Sequence, residues 1–171
     1  RNWCIVHLML DAGIRSSEVI NLRFCDLIFD KNILQIWKSK GSKTRLVILC
    51  PRLKVNLMKY CVLYRNYTQL PDHSNVFIQM KNQKPINSNV LKQFFSRLKK
   101  KTGIERVHPH LCRHTFATAY IIGGGSLEML RLLLGHSDYE VARMYLHLAH
   151  QCQMLHSDVY RLDPVYFKKM I

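Results

Sequence analysis

No two of the six cysteines lie closer than eleven residues, the spacing of Cys50 and Cys61, and no CxxC pair occurs. That scatter excludes a disulfide framework and a zinc knuckle. Cys4, Cys25, Cys50, Cys61, Cys112 and Cys152 read instead as buried or free thiols suited to a reducing, cytoplasmic setting. Long apolar runs are missing too: the stretches Cys4 to Leu10 and Leu46 to Cys50 are too short to cross a bilayer. There is no signal-peptide pattern, no low-complexity tract and no internal repeat. The chain opens on Arg1 inside a helical pattern, as a domain cut from a longer protein would. Acidic residues are scarce. Only 11 Asp and Glu stand against 26 Lys and Arg, for a formal net charge of +15 at pH 7. This is the electrostatic footprint of a surface that sits on phosphate backbone. At 48% hydrophobic and 22% charged residues, the 171-residue chain is otherwise ordinary. It is long enough for one core that removes about 70% of the unfolded surface from water.

Periodicity and punctuation organise the chain. Trp3 to Ala12 has helical spacing and halts at Gly13; a second helix starts after Arg15 and runs through Ser16, Glu18, Val19 and Leu22. From about Leu27 the period becomes β-like. Ile33, Leu34 and Ile36 form one run and Leu46 to Leu49 another, separated by the turn-prone Lys40-Gly41-Ser42-Lys43, which predicts a hairpin with room for a short strand ahead of it. Pro51 opens a helix through Tyr64. Pro71 to Pro85 reads as a loop holding one apolar run, Val76 to Ile78. Asn87 or Ser88 caps a helix with the stripe Val90, Leu91, Phe94, Phe95 and Leu98 and a basic end. Pro109 precedes a helix ending at Gly123-Gly124-Gly125, and Ser126 caps a short helix through Leu134. Ser137 with Glu140 forms a capping box for the next, and Ser157 to Lys169 predicts a last helix broken by Pro164. The expected fold class is α+β: mostly α-helical with a small antiparallel β-sheet or hairpin.

Four segments carry candidate chemistry. In the first, a glycine turn delivers Arg15 to a helix start, where an anion is favoured, with Glu18 one turn along as a brace. A surface ion pair is the plainer reading. In the second, Lys38, Lys40, Lys43 and Arg45 crowd the hairpin tip, suited to a DNA groove or simply to a solvated turn. In the third, His110 and Arg113 share a helical face, one proton carrier and one cation that can serve a phosphoryl transition state. Metal binding by His110, Cys112 and His114 is the weaker competitor, since Cys112 points elsewhere and no acidic partner follows. In the fourth, His136 stands just before the capped helix that contains Tyr145. There Val141, Met144, Tyr145 and Leu148 follow the spacing of an ordinary core stripe.

In order and spacing, Arg15, Lys40, His110-x-x-Arg113, His136 and, nine residues later, Tyr145 resemble the active site of the tyrosine recombinase (phage integrase) family. The matching text is AGIRSSEV, SKGSKTRLVIL, PHLCRHTFAT and LLGHSDYEVARMYLH, and the resemblance spans roughly residues 1–150. It implies a tyrosine recombinase catalytic-domain fold over 1–150, with 151–171 a tail that packs on a neighbouring protomer. The family's N-terminal core-binding domain is not in this chain. It also implies that Tyr145 attacks DNA to form a 3′-phosphotyrosyl bond with no metal, ATP or other cofactor. His110 would then be the general base and Lys40 the acid for the leaving oxygen, with Arg15, Arg113 and His136 clamping the phosphate. Lys38, Lys43, Arg45, Lys99, Lys100 and Lys101 are expected to touch DNA. The expected partners are double-stranded DNA and other copies of the chain, four in the full-length assembly, with no membrane. A type IB topoisomerase-like relaxing enzyme and a DNA-binding regulator without catalysis are the alternatives. Against the regulator, every catalytic position is filled.

Overall fold

In the computed structural model, which describes residues 1–37, 44–135, 144–147 and 150, the chain begins in α1 (Asn2–Leu10). Cys4, Ile5, His7, Leu8 and Met9 are all buried, because α1 lies between α3 (Pro51–Arg65) and α5 (Pro109–Ile122) and has apolar neighbours on more than one side. The helix stops at Leu10 rather than Ala12. Gly13 then takes φ +62° and turns the chain into α2 (Ser16–Asn21).

A single 3₁₀ turn, Phe24–Asp26, leads into a three-stranded antiparallel sheet of order β1-β2-β3: β1 (Leu27–Ile28), β2 (Ile33–Ile36) and β3 (Arg45–Ile48). Leu34 pairs with Val47 and Ile36 with Arg45 on the face turned to the core, while Ile33 with Ile48 and Gln35 with Leu46 look outward. The third strand thus starts one residue earlier than the apolar run predicts, and that residue is an arginine facing inward. The expected loop between Pro71 and Pro85 does more than connect. Val76, Phe77 and Ile78 enter the core, held by the Tyr60 hydroxyl and the Arg65 guanidinium, which donate to the Val76 carbonyl.

Asn87 caps α4 (Ser88–Thr102) by accepting from the Val90 N–H, and Ser126 caps α6 (Leu127–Leu134) by accepting from the Met129 N–H, as the sequence predicts. His108 supplies an unexpected cap for α5, its Nδ1 accepting from the Leu111 N–H at 3.2 Å. The main core joins α1, α3, the sheet and α4. A smaller cluster of Ala117, Leu130, Leu134 and Tyr145, covered by Phe116, Tyr120 and Ile121, lies between α5, α6 and the helical stretch 144–147. Mostly helical with one small antiparallel sheet, the architecture is the one anticipated. The hairpin tip with Lys38, Lys40 and Lys43, residue His136 and the segment 151–171 with its expected last helix lie outside the described residues. Among the described residues no helix is long and apolar enough to cross a membrane.

At the Gly13 turn backbone and core meet tightly. A Cβ there would stand 2.4 Å from Cδ1 of Phe116 and 3.0 Å from Cδ2 of Leu134, on a backbone conformation that L-residues disfavour. Gly13→Ala should therefore destabilise the fold by about 2–4 kcal/mol, adding overpacking to the left-handed strain. Equilibrium unfolding in urea measures this, and a change below about 0.5 kcal/mol, the range of a neutral surface substitution, would contradict it.

Candidate active site

Glu18 is the first residue of the site to be fixed. At the third position of α2 its carboxylate accepts the Arg15 N–H at 2.7 Å, which starts the helix, and it pairs with the Arg15 guanidinium at 3.3 Å. The expected brace is therefore present, but Glu18 has a stronger partner. Arg45 donates to both of its oxygens, at 2.6 and 2.7 Å, in a fork-to-fork arrangement. The charge run of the sequence puts Arg45 among the cations that touch DNA. Instead it is only 8% exposed, because its position opposite Ile36 on the inner face of the sheet turns it toward α2 and α6. Burial alone would raise the Glu18 carboxyl; the hydrogen bonds and charge of Arg45, with help from Arg15, outweigh it and hold the group below its ordinary value.

The end of α6 supplies the remaining acceptors. The last carbonyls of a helix lack intrahelical partners and carry the negative end of its dipole. Here three consecutive ones are each taken by a different arginine. Arg45 Nε donates to the Leu133 carbonyl at 2.7 Å, Arg113 to that of Leu134 at 2.6 Å and Arg15 to that of Gly135 at 3.4 Å. Gly135, at φ 63°, is the left-handed residue that ends the helix and turns these carbonyls outward. Arg113 also donates to the Gly13 carbonyl. Burial first, then repulsion from Arg15, lowers Arg113 to about 10, so it stays charged at neutral pH while held close to a like charge. Two guanidinia kept close together, with Glu18 neutralising Arg15 only in part, make a site that favours an anion.

Tyr145 lies within electrostatic reach of this pair. Its ring is 2% exposed within the smaller cluster, more deeply packed than a half-buried stripe residue. Its hydroxyl is 2.8 Å from Nδ1 of His114, the rings tilted at 45°. Burial raises the phenol above its ordinary value, and the charges of Arg113 and Arg15 oppose that rise. Burial, followed by the charges of His110, His108 and Arg113, lowers His114. In the sequence His114 stands out only as a possible metal ligand. Cys112, the other residue in that reading, is buried in the main core, its thiol pushed up to about 11 by desolvation.

The structure thus brings Arg15, Arg113 and Tyr145 together. His110 is exposed on the first turn of α5, its ring edge-on to His108 at 6.4 Å. Lys99, Lys100 and Lys101 are exposed in the last turn of α4. Lys38, Lys40, Lys43 and His136 fall outside the described residues. A cleft of about 810 Å³ opens beside Arg15, lined by Asn21, Arg23, Gln35, Trp37 and His73 among others. Trp37, the last described residue before the hairpin tip, is anchored by its indole N–H donating to Asp26 at 2.8 Å.

Because the Glu18–Arg45 pair is buried, removing one partner leaves the other uncompensated. Glu18→Gln should destabilise the chain by about 3 kcal/mol, and Glu18→Gln with Arg45→Met by less than the sum of the two single changes. The pH dependence has a definite sign. Since the folded carboxyl is depressed, its contribution is complete above the ordinary value of 4.5 and is lost as pH falls through the folded value. Urea unfolding from pH 7 to pH 3 should accordingly show a shallower acid decline for Glu18→Gln than for the wild type.

Comparison with known proteins bears on this arrangement directly. The family model described as "Phage integrase family" matches residues 1–151. Tyrosine recombinase XerD of Lacticaseibacillus casei is 34% identical over 155 residues, which cover 88% of this chain and 52% of that protein. The tyrosine recombinase of Thermosipho africanus is 31% identical over 152 residues, 88% of this chain and 51% of that one. The crystal structure of XerA recombinase superposes with a TM-score of 0.77 at 27% identity, covering 92% of this chain and 58% of the other. The chain spans about half the length of the relatives it matches. A family match over nearly the whole chain, joined to a buried tyrosine that feels the charges of an arginine pair, means that this chain belongs to the phage integrase family of tyrosine recombinases.

Proposed function

We propose that this chain is the catalytic domain of a site-specific DNA recombinase that cuts and rejoins strands through Tyr145. The observation that carries the reading is a buried Tyr145 whose phenol feels the charges of Arg15 and Arg113, two cations whose guanidinia converge on the end of α6. A phosphodiester between these guanidinia offers its non-bridging oxygens where neutral carbonyls now sit. The charge that develops in the transition state is then met without reorganisation. Tyr145 attacks phosphorus, a 3′-phosphotyrosyl bond forms, and the 5′-oxygen leaves. The bond energy is retained in the covalent link, so the reverse attack by a 5′-hydroxyl rejoins DNA without ATP. In this reading Lys40 protonates the leaving oxygen, His136 adds a third hand on the phosphate, and His110 lies near enough in sequence and helix to share in proton transfer. Residues 1–150 form the catalytic unit and 151–171 a tail that docks on another copy, with several copies assembled on two duplexes. Exchange between two sites is favoured over simple relaxation because the relatives bear recombinase names.

Incubating the chain at low salt with a nicked suicide duplex should yield a denaturation-resistant protein–DNA adduct, and Tyr145→Phe should yield none. An adduct formed by Tyr145→Phe would overturn the assignment of the nucleophile. Relaxed plasmid produced without strand exchange would point to topoisomerase activity instead. DNA binding should weaken steeply with salt. Replacing Lys99, Lys100 and Lys101 together by alanine should reduce the slope of log K against log salt by about 0.9 for every phosphate these lysines neutralise, measured by fluorescence anisotropy.

A further inference from the structure

We infer that His114, through Nδ1, is a catalytic residue that takes the phenolic proton from Tyr145 as the nucleophile attacks. The inference rests on Tyr145 being the nucleophile. Its observation is independent of that: of the histidines on α5, His114 is the one whose ring nitrogen lies at hydrogen-bond distance, 2.8 Å, from the atom that must lose a proton. His110 and Arg113 are three apart and share a helical face, which makes His110 the natural base in the sequence. The 144–147 stretch docks against α5 one residue further along, over His114 and Ala117.

The surroundings of His114 suit a proton acceptor. His108, His110 and Arg113 face it from its own helix, and Tyr145 faces it from the 144–147 stretch. Desolvation first, and then the electrostatic influence of those neighbours, holds the imidazole below the ordinary histidine value of 6.5, so at pH 7 the ring is neutral, with a lone pair for the phenol. An arriving phosphate carries the opposite charge next to Arg113 and raises the proton affinity of the imidazole when it is needed. In the forward step the Tyr145 oxygen bonds to phosphorus, the phosphorus–5′-oxygen bond breaks, the phenolic proton passes to Nδ1 of His114 and the leaving oxygen is protonated separately. In the reverse step the 5′-hydroxyl attacks, and the His114 imidazolium returns its proton to the departing phenolate. The residue that clamps the phosphate and the residue that accepts the proton are then consecutive in sequence, so one helix sets both.

His114→Asn is the discriminating variant. Its side-chain oxygen can still accept a hydrogen bond from the phenol, but it cannot accept the proton. Single-turnover adduct formation should slow about 100-fold or more. The slowing should be equal on a normal duplex and on one whose leaving group is a 5′-bridging sulfur, since sulfur needs no protonation but the phenol still must lose its proton. The wild-type rate should decline on the acid side as His114 becomes protonated in the complex, and His114→Asn should lack that limb. A His114→Asn rate within about threefold of wild type, with its pH profile unchanged, would overturn the inference. So would a defect confined to the oxygen-leaving substrate, because His114 would then serve the leaving group. Long-range ¹H–¹⁵N NMR of the uncleaved protein tests the hydrogen bond without activity. Nδ1 of His114 should be the unprotonated nitrogen and Nε2 the protonated one; a protonated Nδ1 would refute the claim. An adduct surviving in Tyr145→Phe would sink the nucleophile assignment, a separate failure from either His114 result.

Discussion

Mutual repulsion among Arg15, Arg45 and Arg113 is the constraint around which this molecule is arranged. Three guanidinia cannot be brought together in a partly dry space unless something negative is built in with them. Among the described residues the chain supplies the charge of Glu18 and a set of partial charges, the carbonyls that close α6 and that of Gly13. Glu18 neutralises Arg45 outright and Arg15 in part. Arg113 donates to the carbonyls of Leu134 and Gly13 and feels the charge of Glu18, but burial, and then the charge of Arg15, outweigh that help and lower it to about 10. The charge of Arg113 reaches both Tyr145 and His114.

The same bonds tie together remote parts of the chain. Arg15 reaches Gly135, 120 residues away; Arg113 reaches Gly13 across 100; Arg45 reaches Leu133 across 88. Turn, sheet and helix end are thus fixed relative to each other by the side chains that make the site. Its geometry is not an ornament on an independently stable scaffold. The Gly13 turn illustrates how closely the two are joined. Its missing Cβ lets Phe116 and Leu134 close in, and its carbonyl then lies where Arg113 can use it. Substituting that glycine would displace core packing and one acceptor of the anion site together.

Most elements of the fold were legible because local rules decide them. Asn87 and Ser126 cap helices wherever their side chains can reach the third N–H, and β2 and β3 declare themselves by alternation. The order of Arg15, Arg113 and Tyr145 was legible only through resemblance, since Tyr145 alone has the spacing of a core residue. Arg45 defeats a reading from sequence for a physical reason. It belongs to a run of cations, and a charge at the end of such a run normally faces water. The alternation of buried Val47 and Leu49 already put position 45 on the inner face, but Glu18, the partner that makes burial tolerable, is 27 residues away and announces nothing locally. His114 escapes notice because a face on a helical wheel describes α5 by itself, whereas the angle at which 144–147 docks selects the partner. Backbone acceptors such as Leu133, Leu134 and Gly135 leave no trace in residue identities at all.

Burial of Tyr145 has two opposing consequences, and their balance explains how a tyrosine can serve as a controlled nucleophile. Desolvation raises the phenol above its ordinary value and keeps it protonated, while Arg15 and Arg113 pull in the other direction without prevailing. Alone, the site therefore holds a protonated phenol beside a neutral imidazole. On the proposed reading a phosphate changes both terms at once. It forms charge-assisted hydrogen bonds to the two arginines that carbonyls cannot match, and its own charge strengthens His114 as an acceptor. The guanidinia would then polarise phosphorus toward the phenol in place of stabilising a free phenolate. A protein that can break DNA needs its nucleophile silent until the correct phosphate is in place. On this reading that silence requires no separate device, because a bound phosphate would relieve electrostatically the burial that suppresses the phenol.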